Sequence, residues 1–377
     1  MENKNEWRKV KLKEISINNQ GTYGISASAV PYDFKLPTYL RITDINDDGT
    51  INKKDLKSVD NSEANKYFLK KNDVVFARTG NSTGKAYLYR EKDGKFVYAG
   101  FLIKFSLDEI KVNPKYIGLY LMTDTYKNWI NSVSTGSTRN NINAKMYGDM
   151  EINLPSREIQ DKIVKIIEPL NNKIELNNKI NDNLEKQCIA IFKKIFPKIF
   201  YGNFNVGNYL KPKRGKNLLS KNAILGNIPV VAGGLEPATY HNKSNTLFPV
   251  ITISASGANA GFIRLWHTPV WSSDSSYIDY SVSKYIYFWY LFFKLRQKEI
   301  YDLQSGSAQP HIYPKHLEEL SIKKLDLDMI KDFDSVVSSF FEKIGKNNIE
   351  NKKLTNLKNY LLPKLMNGEI DVKNIEL

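Results

Sequence analysis

The sequence contains one cysteine, Cys188, and four histidines among 377 residues. A single thiol forms no internal disulfide, and so few scattered Cys and His side chains cannot build a zinc finger. We therefore expect a buried structural thiol and a reducing, cytoplasmic environment. No apolar run approaches the length of a membrane span, and the N-terminus, MENKNEWRKVK, has no apolar signal region. A membrane partner is not expected.

Motifs for DNA-modifying catalysis are also missing. The sequence has no Pro-Pro pair, which the Asp- or Asn-Pro-Pro-aromatic motif of an adenine methyltransferase requires, and no G-x-G-x-x-G fingerprint follows a predicted strand. The acidic segment DINDDG at 44–49 departs from the spacing of a calcium loop, so it is predicted to be a solvated turn. We expect no catalytic residue, no metal site and no cofactor in this chain.

The segment FARTGNSTGKA at 76–86 partly matches a phosphate-binding loop. A functional loop has four residues between its glycines and Ser or Thr after the lysine, whereas this segment has three residues and then alanine. The segment SASGANAGFIR at 254–264 repeats the glycine spacing, with Phe262 in place of the lysine. Both segments are therefore predicted to form a strand–turn–strand hairpin and not a nucleotide site.

The chain contains an internal repeat. GSTRNNINAKMYGDMEI at 136–152 aligns with GSAQPHIYPKHLEELSI at 306–322, and FPKIFYGNFNV at 196–206 aligns with LPKLMNGEIDV at 362–372. Between these anchors, apolar residues alternate at spacings of four and three, which is typical of coiled-coil helices. The alternating residues are Ile159, Ile163, Ile166, Leu170, Ile180, Leu184 and Ile191 in the first helix, and Met329, Phe333, Val336, Phe340, Leu354, Leu357 and Leu361 in the second.

Three polar or helix-breaking residues fall within these helices. Pro169 is expected to kink or interrupt the first helix, so that its long continuous part begins there. Asn177 and Asn347 lie at equivalent positions on the apolar seam, where a polar residue can fix the register of two helices. The alternative is that an Asn-rich composition placed them there by chance.

The remaining segments are short apolar runs separated by Gly, Pro, Asn and Asp, which indicates strands and turns. The predicted fold class is α/β (α+β), with a pseudo-twofold internal repeat of a globular domain followed by a long helix. We place the two globular domains at 1–153 and 201–323. The helical regions then occupy 154–200 and 324–377.

The formal net charge is +15, and this excess of Lys and Arg favours a polyanionic partner, with nucleic acid as the first candidate. An AT-rich genome that inflates Lys and Asn is the alternative explanation. Two unlike basic domains joined by long helices suit two unlike half-sites on one duplex. The roughly 27 helical residues after Pro169, at about 1.5 Å each, would span about 40 Å, on the order of one duplex turn.

In its order of motifs the chain resembles the specificity subunits of type I restriction-modification enzymes over nearly its full length. The motifs are WRKVKLKEI at 7–15, VVFARTGNSTGK at 74–85, GSTRNNINAKMYGDMEINLPSREIQDKIV at 136–164, LNNKIELNNKINDNLEKQ at 170–187 and LLPKLMNGEI at 361–370. The resemblance implies two target recognition domains, each reading half of a split DNA sequence, and two long conserved helices packed as an antiparallel coiled coil. It also implies docking of two DNA adenine methyltransferase subunits, joined in the full enzyme by two ATP-driven restriction subunits, and no catalysis by this subunit.

The repeated loops at 136–145 and 306–315 keep Gly, Ser and Lys and differ in the polar residues between them. Constant residues suit phosphate contacts, and variable polar residues suit base-edge contacts. The alternative is that each loop is only a turn leading into a helix. The residues predicted to contact DNA are Arg139, Asn140, Asn141, Lys145, Gln309, His311, Lys315, Arg78, Lys85, Arg41, Lys213 and Arg214.

Two other functions fit the same sequence features. The chain could serve as the specificity subunit of a related bifunctional or single-chain restriction-modification system. It could also be a stand-alone DNA-binding repressor without an enzymatic partner. Co-purification with a methyltransferase present in about twice as many copies would favour the type I function, whereas a lone stable monomer on DNA would favour the repressor.

Overall fold

The structure is a computed structural model that describes residues 7–134, 141–305, 310–373 and 375. The chain divides into two compact units, which we call unit 1 (Met1–Asn172 with Leu354–Leu377) and unit 2 (Lys173–Lys353). The boundaries fall inside the two longest helices, so each unit contains part of both helices. Each unit is described separately below.

Unit 1 is a β-rich domain with short helices at its C-terminal side. Its strands are β1 (Arg8–Lys11), β2 (Thr22–Tyr23), β3 (Ala29–Val30), β4 (Thr38–Leu40), β5 (Lys57–Val59), β6 (Asp73–Ala77), β7 (Ala86–Leu88), β8 (Phe96–Tyr98), β9 (Leu102–Ser106) and β10 (Glu151–Leu154). Its helices are α1 (Pro114–Tyr120), α2 (Asp124–Ser134), α3 (Ala144–Gly148), the first part of α4 (Arg157–Ile195) and the last part of α8 (Leu327–Met366).

The strands of unit 1 form two four-stranded sheets and one two-stranded pair. The first sheet has the order β2-β9-β6-β7 and is antiparallel, and the second has the order β3-β5-β4-β8 with β4 and β8 parallel. Strand β1 pairs with β10. All five residues of β6 are buried, which is expected of a central strand covered on both faces. Phe76 of β6 stacks on Tyr147 of α3, with ring centres 4.6 Å apart.

Unit 2 repeats this plan with fewer strands. Its strands are β11 (Phe204–Asn205), β12 (Lys213–Arg214), β13 (Ile228–Val231), β14 (Thr239–His241), β15 (Val250–Ser254), β16 (Ile263–Trp266), β17 (Trp271–Ser272), β18 (Ser275–Ile278) and β19 (Ser321–Ile322). Its helices are the second part of α4, α5 (Ile286–Leu295), α6 (Gln297–Asp302), α7 (Pro314–Glu318) and most of α8 (Leu327–Met366).

The sheets of unit 2 match those of unit 1 except that no strand of unit 2 corresponds to β3 among the described residues. The antiparallel sheet β12-β18-β15-β16 corresponds to β2-β9-β6-β7, and the sheet β14-β13-β17, with β13 and β17 parallel, corresponds to β5-β4-β8. The pair β11–β19 corresponds to β1–β10. The structure therefore confirms the mixed α/β class and the internal repeat.

Helix α4 runs through Pro169 without a break, from Arg157 to Ile195. The prediction that its long continuous part begins at Pro169 was therefore wrong. Proline removes one main-chain hydrogen bond, but Ile163 and Ile167 are fully buried in the core of unit 1, and this packing holds the segment before the proline in the helix.

The predicted apolar seam is only partly right. In α4, Ile159 and Ile163 are buried as expected, and in α8 Phe333 is buried. Met329 and Val336, however, are exposed. Besides Phe333, the buried apolar residues of this part of α8 are Ile330, Val337, Phe341 and Ile344, which were not on the predicted seam, and Leu357 is exposed farther along the helix.

Within unit 2, polar side chains join α4 to α8. Asn177 Nδ2 donates to Glu350 Oε2 at 2.8 Å and to Asn351 Oδ1 at 2.9 Å, and Asn347 Nδ2 donates to Asn181 Oδ1 at 2.7 Å. Residues that come later on α4 contact residues that come earlier on α8, so the two helices are antiparallel. Asn177 and Asn347 are both 1% exposed. Their effect on register stays a prediction.

The thiol of Cys188 is buried, as expected, and burial raises its pKa to about 12. Such a thiol carries little thiolate at neutral pH and is unreactive. Among the helices of the described segments, none combines the length and the apolar content needed to cross a membrane.

Candidate nucleic-acid interface

The glycine-rich turn of unit 1 connects β6 to β7. The Gly84 N–H donates to the Ala77 carbonyl at 3.0 Å, and the Ala77 N–H donates to the Lys85 carbonyl at 2.8 Å. Gly80 and Gly84 have φ angles of 71° and 88°, in the left-handed region that favours glycine. A Cβ at Gly84 would also lie 2.7 Å from Ile130. The glycines are therefore required by the turn.

The corresponding turn of unit 2 connects β15 to β16 in the same way. The Gly261 N–H donates to the Ser254 carbonyl at 2.7 Å, and the Ser254 N–H donates to the Phe262 carbonyl at 3.0 Å. Gly257 and Gly261 have φ angles of 80° and 91°. The prediction of two equivalent hairpins is confirmed by these contacts and by the antiparallel pairing of the strands.

A second loop packs against each hairpin through equivalent main-chain contacts. In unit 1 the Ile142 N–H donates to the Arg78 carbonyl at 2.9 Å, and Asn141 forms a β-bridge with Thr79. In unit 2 the Ile312 N–H donates to the Ala255 carbonyl at 2.9 Å, and His311 forms a β-bridge with Ser256. Residues 141 and 311 are thus held at the same place on the two hairpins.

A third segment completes the arrangement. The Arg78 N–H donates to the Phe101 carbonyl at 3.1 Å, and the Ala255 N–H donates to the Asp274 carbonyl at 3.1 Å. The edge strands β2 and β12 also have equivalent registers. Tyr23 and Arg214 each pair with a residue of the neighbouring strand, and that residue in turn pairs with the hairpin residue that lies four positions before the first glycine of the turn. We call the four equivalent places the frame positions: Tyr23, Arg78, Phe101 and Asn141 in unit 1, and Arg214, Ala255, Asp274 and His311 in unit 2.

In unit 1 the frame positions hold one cation, two aromatic rings and an amide. The Arg78 guanidinium lies 4.9 Å from the centre of the Tyr23 ring, and its Nε donates to Asn141 Oδ1 at 3.3 Å. The Tyr23 hydroxyl accepts a hydrogen bond from the Ala144 N–H at 3.2 Å. The Phe101 side chain is 60% exposed. This surface can therefore donate hydrogen bonds and stack on a planar group.

In unit 2 the same positions hold different chemistry. Arg214 Nη2 donates to Asp274 Oδ1 at 2.6 Å, and the Ser256 hydroxyl donates to Asp274 Oδ2. The His311 ring stacks on Tyr313 with ring centres 5.7 Å apart. The Arg214 and Asp274 side chains are 40% and 34% exposed, so the pair is accessible from solvent.

Two predicted lysines occupy the same place in the repeat. Lys145 lies in α3 and Lys315 in α7, and both side chains are exposed. The main-chain carbonyls also cap the ends of these short helices: the Lys145 carbonyl accepts from the Asp149 N–H, and the Lys315 carbonyl accepts from the Glu319 N–H. Lys315 also lies 3.9 Å from the Glu319 carboxylate. Their positive charges are therefore placed next to the loops that carry Asn141 and His311.

Arg41 has a structural environment that its sequence did not indicate. Its guanidinium contacts Asp44 through Nη2–Oδ1 at 2.7 Å and Nε–Oδ2 at 3.0 Å, and it donates to the Asp55 carbonyl at 2.8 Å. Asp44 is 3% exposed, so the prediction of a solvated turn was wrong for this residue and holds only for the exposed Asp47 and Asp48. Arg41 serves to neutralise a buried carboxylate, which would otherwise be costly.

The other predicted contacts lie at or near the surface. Lys85 pairs with Asp47 at 3.0 Å, and Lys213 donates to the Ser281 hydroxyl at 2.9 Å. Arg139, Asn140 and Gln309 lie outside the described residues. The described side chains include no cluster of His, Cys, Asp and Glu suited to a metal ion.

Alignment of the two sequence repeats of this chain gave no indication that Phe101 and Asp274 belong to the candidate site. The two lie in segments without similarity, and only the shared hydrogen bond from the hairpin identifies them as equivalent. A useful signal would have been their position immediately before β9 and β18, the strands that pair with the hairpin strand.

Residues 4–186 match the family model described as Type I restriction modification DNA specificity domain. The chain is 23% identical over 483 aligned positions to the HindI specificity subunit of Haemophilus influenzae, covering 97% of this chain and 100% of that protein. It is 24% identical to the MjaIX specificity subunit of Methanocaldococcus jannaschii, covering 70% and 71%.

Comparison with solved structures shows a similar fold. The crystal structure of the type I restriction-modification S subunit from M. genitalium matches with a TM-score of 0.61 and 19% identity, covering 97% of both chains. The repeated domains and the antiparallel helices of this chain are consistent with the sequence matches to type I specificity subunits. Residues 4–186 therefore carry the similarity to the type I DNA specificity domain, and the chain as a whole is similar to type I specificity subunits in sequence and in fold.

Proposed function

We propose that this chain is a type I specificity subunit that recognises a split DNA target, with unit 1 reading one half and unit 2 the other. The observation that carries the proposal is the pair of equivalent hairpins, which have the same main-chain contacts but different side chains at all four frame positions. A constant backbone with variable side chains suits two half-sites of the same shape and different sequence. The positive charge of the chain supports a polyanionic ligand.

The methylated sequence tests this proposal. The chain would be expressed with its cognate methyltransferase in a host without other adenine methylation, and the chromosomal DNA would be sequenced by a single-molecule method that detects methyladenine. We expect one motif made of two specified halves and an unspecified gap. A contiguous motif, or methylation that is independent of this chain, would contradict the proposal.

The internal repeat also supports the number of partners. Because two equivalent units offer two equivalent surfaces, we infer that one chain binds two adenine methyltransferase subunits, with two restriction subunits in the full enzyme. We further infer that the chain itself has no catalytic residue and needs no cofactor. Native mass spectrometry of the purified complex should give two methyltransferases per chain, and a chain that purifies alone and binds DNA as a monomer would favour a repressor.

Lys145 and Lys315 are expected to contact phosphates, one beside each half-site. Lys145→Ala should weaken DNA binding evenly across sequences and reduce the slope of log K against log salt by about 1, since each neutralised phosphate releases about one counterion. Fluorescence anisotropy at several salt concentrations measures the slope. Lys115→Ala is the matched control, because Lys115 is already paired with Glu168 at 2.6 Å. Equal slopes for wild type and Lys145→Ala would exclude the phosphate contact.

A further inference from the structure

Each unit presents one arginine at its frame positions, but the two arginines come from different strands. In unit 1 the arginine is Arg78, immediately after β6, and the edge-strand position holds Tyr23. In unit 2 the arginine is Arg214 on the edge strand, and the position after β15 holds Ala255. The guanidinium group has therefore changed strands between the repeats, while the backbone that carries it has not changed.

Each arginine is also held by neighbours at the other frame positions. Arg78 lies over the Tyr23 ring and donates through Nε to Asn141, which leaves its terminal nitrogens outside that bond. Arg214 is held by the Asp274 carboxylate, which the Ser256 hydroxyl orients in turn. The Ser256 main chain belongs to the constant part of the hairpin through its bridge with His311. Both guanidinium groups are thereby limited in orientation.

Folding stability gives no sufficient reason for these contacts. The Arg214 and Asp274 side chains are both more than a third exposed, and exposed ion pairs contribute little to stability. An arginine with a fixed orientation, in contrast, suits planar recognition, because its fork of donors matches the O6 and N7 acceptors of guanine in the major groove. Lysine carries the same charge but lacks the fork.

We propose that Arg78 and Arg214 are specificity-determining residues that each read a guanine in the half-site of their own unit. Asn141 and Tyr23 act as positioning residues for Arg78, and Asp274 acts as the positioning residue for Arg214. This inference rests on the proposed function, because it names the side chains that carry out the recognition. It assigns the two arginines to base edges, where charge alone would assign them to phosphates.

The test compares Arg→Lys variants by the methylated motif. Arg214→Lys should relax one guanine position in one half-site, with discrimination against other bases falling about 10- to 100-fold, and should leave the other half unchanged. Arg78→Lys should do the same in the other half. Arg264→Lys is the matched control, because Arg264 lies on the opposite edge strand of the same sheet, is paired with Glu236 at 3.4 Å and should leave the motif unaltered.

The variant Asp274→Asn tests whether Asp274 positions Arg214, because it leaves the charge of the arginine unchanged. The amide keeps the shape of the side chain but removes the charge that holds the guanidinium. We therefore expect discrimination at the same guanine position to fall, while the salt dependence of binding stays equal to that of wild type. A structural role alone would alter affinity or folding, which circular dichroism and the salt slope report, without altering one base position.

The outcomes distinguish the two proposals. If the wild type yields no two-part motif, the proposed function fails. If the wild type yields that motif but Arg78→Lys and Arg214→Lys leave it unchanged, or lower methylation evenly at all sites, the arginines contact phosphates and the inference is overturned. Relaxation of the same position by the control Arg264→Lys would also overturn it.

Discussion

Phe192→Ala should lower the free energy of unfolding of unit 2 by about 3–5 kcal/mol. Phe192 of α4 is 1% exposed, and its ring centre lies 5.2 Å from that of Phe196, 5.6 Å from Phe288 and 5.5 Å from Phe333. Removing the ring leaves a cavity among side chains from three helices, which cannot all close around it. Hydrogen exchange followed by mass spectrometry measures the loss by peptide.

The expected loss is local to one unit. Peptides within 173–353 should lose protection, while those of β6 and β9 in unit 1 should keep it. Phe204→Ala is the matched control, because Phe204 is 41% exposed and its removal creates no buried cavity. A loss below about 1 kcal/mol for Phe192→Ala, or an equal loss for Phe204→Ala, would show that the aromatic cluster does not hold unit 2 together.

The hairpins could be predicted from sequence because their signal is local. Two glycines at a fixed spacing between apolar runs are needed where the backbone takes positive φ, and the second copy, with Phe262 in place of the lysine, excluded a phosphate loop. Asn141 and His311 were reached in the same way, through the repeat that contains them. Local chemistry and an internal copy were enough for this part of the site.

The buried face of α8 could not be predicted from spacing alone. Counting apolar residues assumes that a helix has one partner and one seam, but α8 also packs against α5, where Phe341 stacks on Tyr287 with ring centres 4.8 Å apart. One residue of shift turns a helix by about 100°, so Ile330 and Val337 are buried where Met329 and Val336 were expected. The helices that pack against α8 therefore determine which of its faces is buried.

The equivalence of Tyr23 with Arg214 depends on strand register. A shift of one residue in either edge strand would turn these side chains to the opposite face of the sheet, and no sequence similarity fixes the register of such short strands. Asp274 and Phe101 are related only through the hydrogen bonds to Ala255 and Arg78. The side chains that distinguish the two units were therefore found from the pairing and not from the sequence.

Replacing His267 with phenylalanine should make unit 2 less sensitive to acid. Burial lowers the pKa of His267 to about 4, and the ring lies against α8, where a Cβ on Gly345 would come within 2.5 Å of it. The unfolded chain takes up a proton near pH 6.5, whereas the folded chain does so only near pH 4. His267 therefore contributes a loss of stability as pH falls through this window, of about 2–3 kcal/mol between pH 8 and pH 4.5.

The measurement is a comparison of two proteins at two pH values. Urea unfolding of wild type and His267→Phe at pH 8 and pH 4.5 should show the variant gaining about 2–3 kcal/mol relative to wild type at the lower pH. Equal changes in the free energy of unfolding of the two proteins between pH 8 and pH 4.5 would contradict the lowered pKa of His267. The carboxylates Asp182 and Glu185 and the cations Arg264 and Lys294, which line the same cavity of about 300 Å³, are present in both proteins.

Asp334→Asn provides a control of opposite sign in the same unit. Burial raises the pKa of Asp334 to about 6, so the folded chain binds this proton more tightly than the unfolded chain, and wild type gains stability as pH falls through 6 towards 3.8. The asparagine oxygen can still accept from the Phe288 N–H, which Asp334 Oδ1 now accepts at 2.9 Å. Relative to wild type, Asp334→Asn should therefore be more stable at pH 8 than at pH 4.5. The two groups act in opposite directions, so their contributions to the pH dependence of unit 2 partly offset each other, and each substitution alone should expose the contribution of the other.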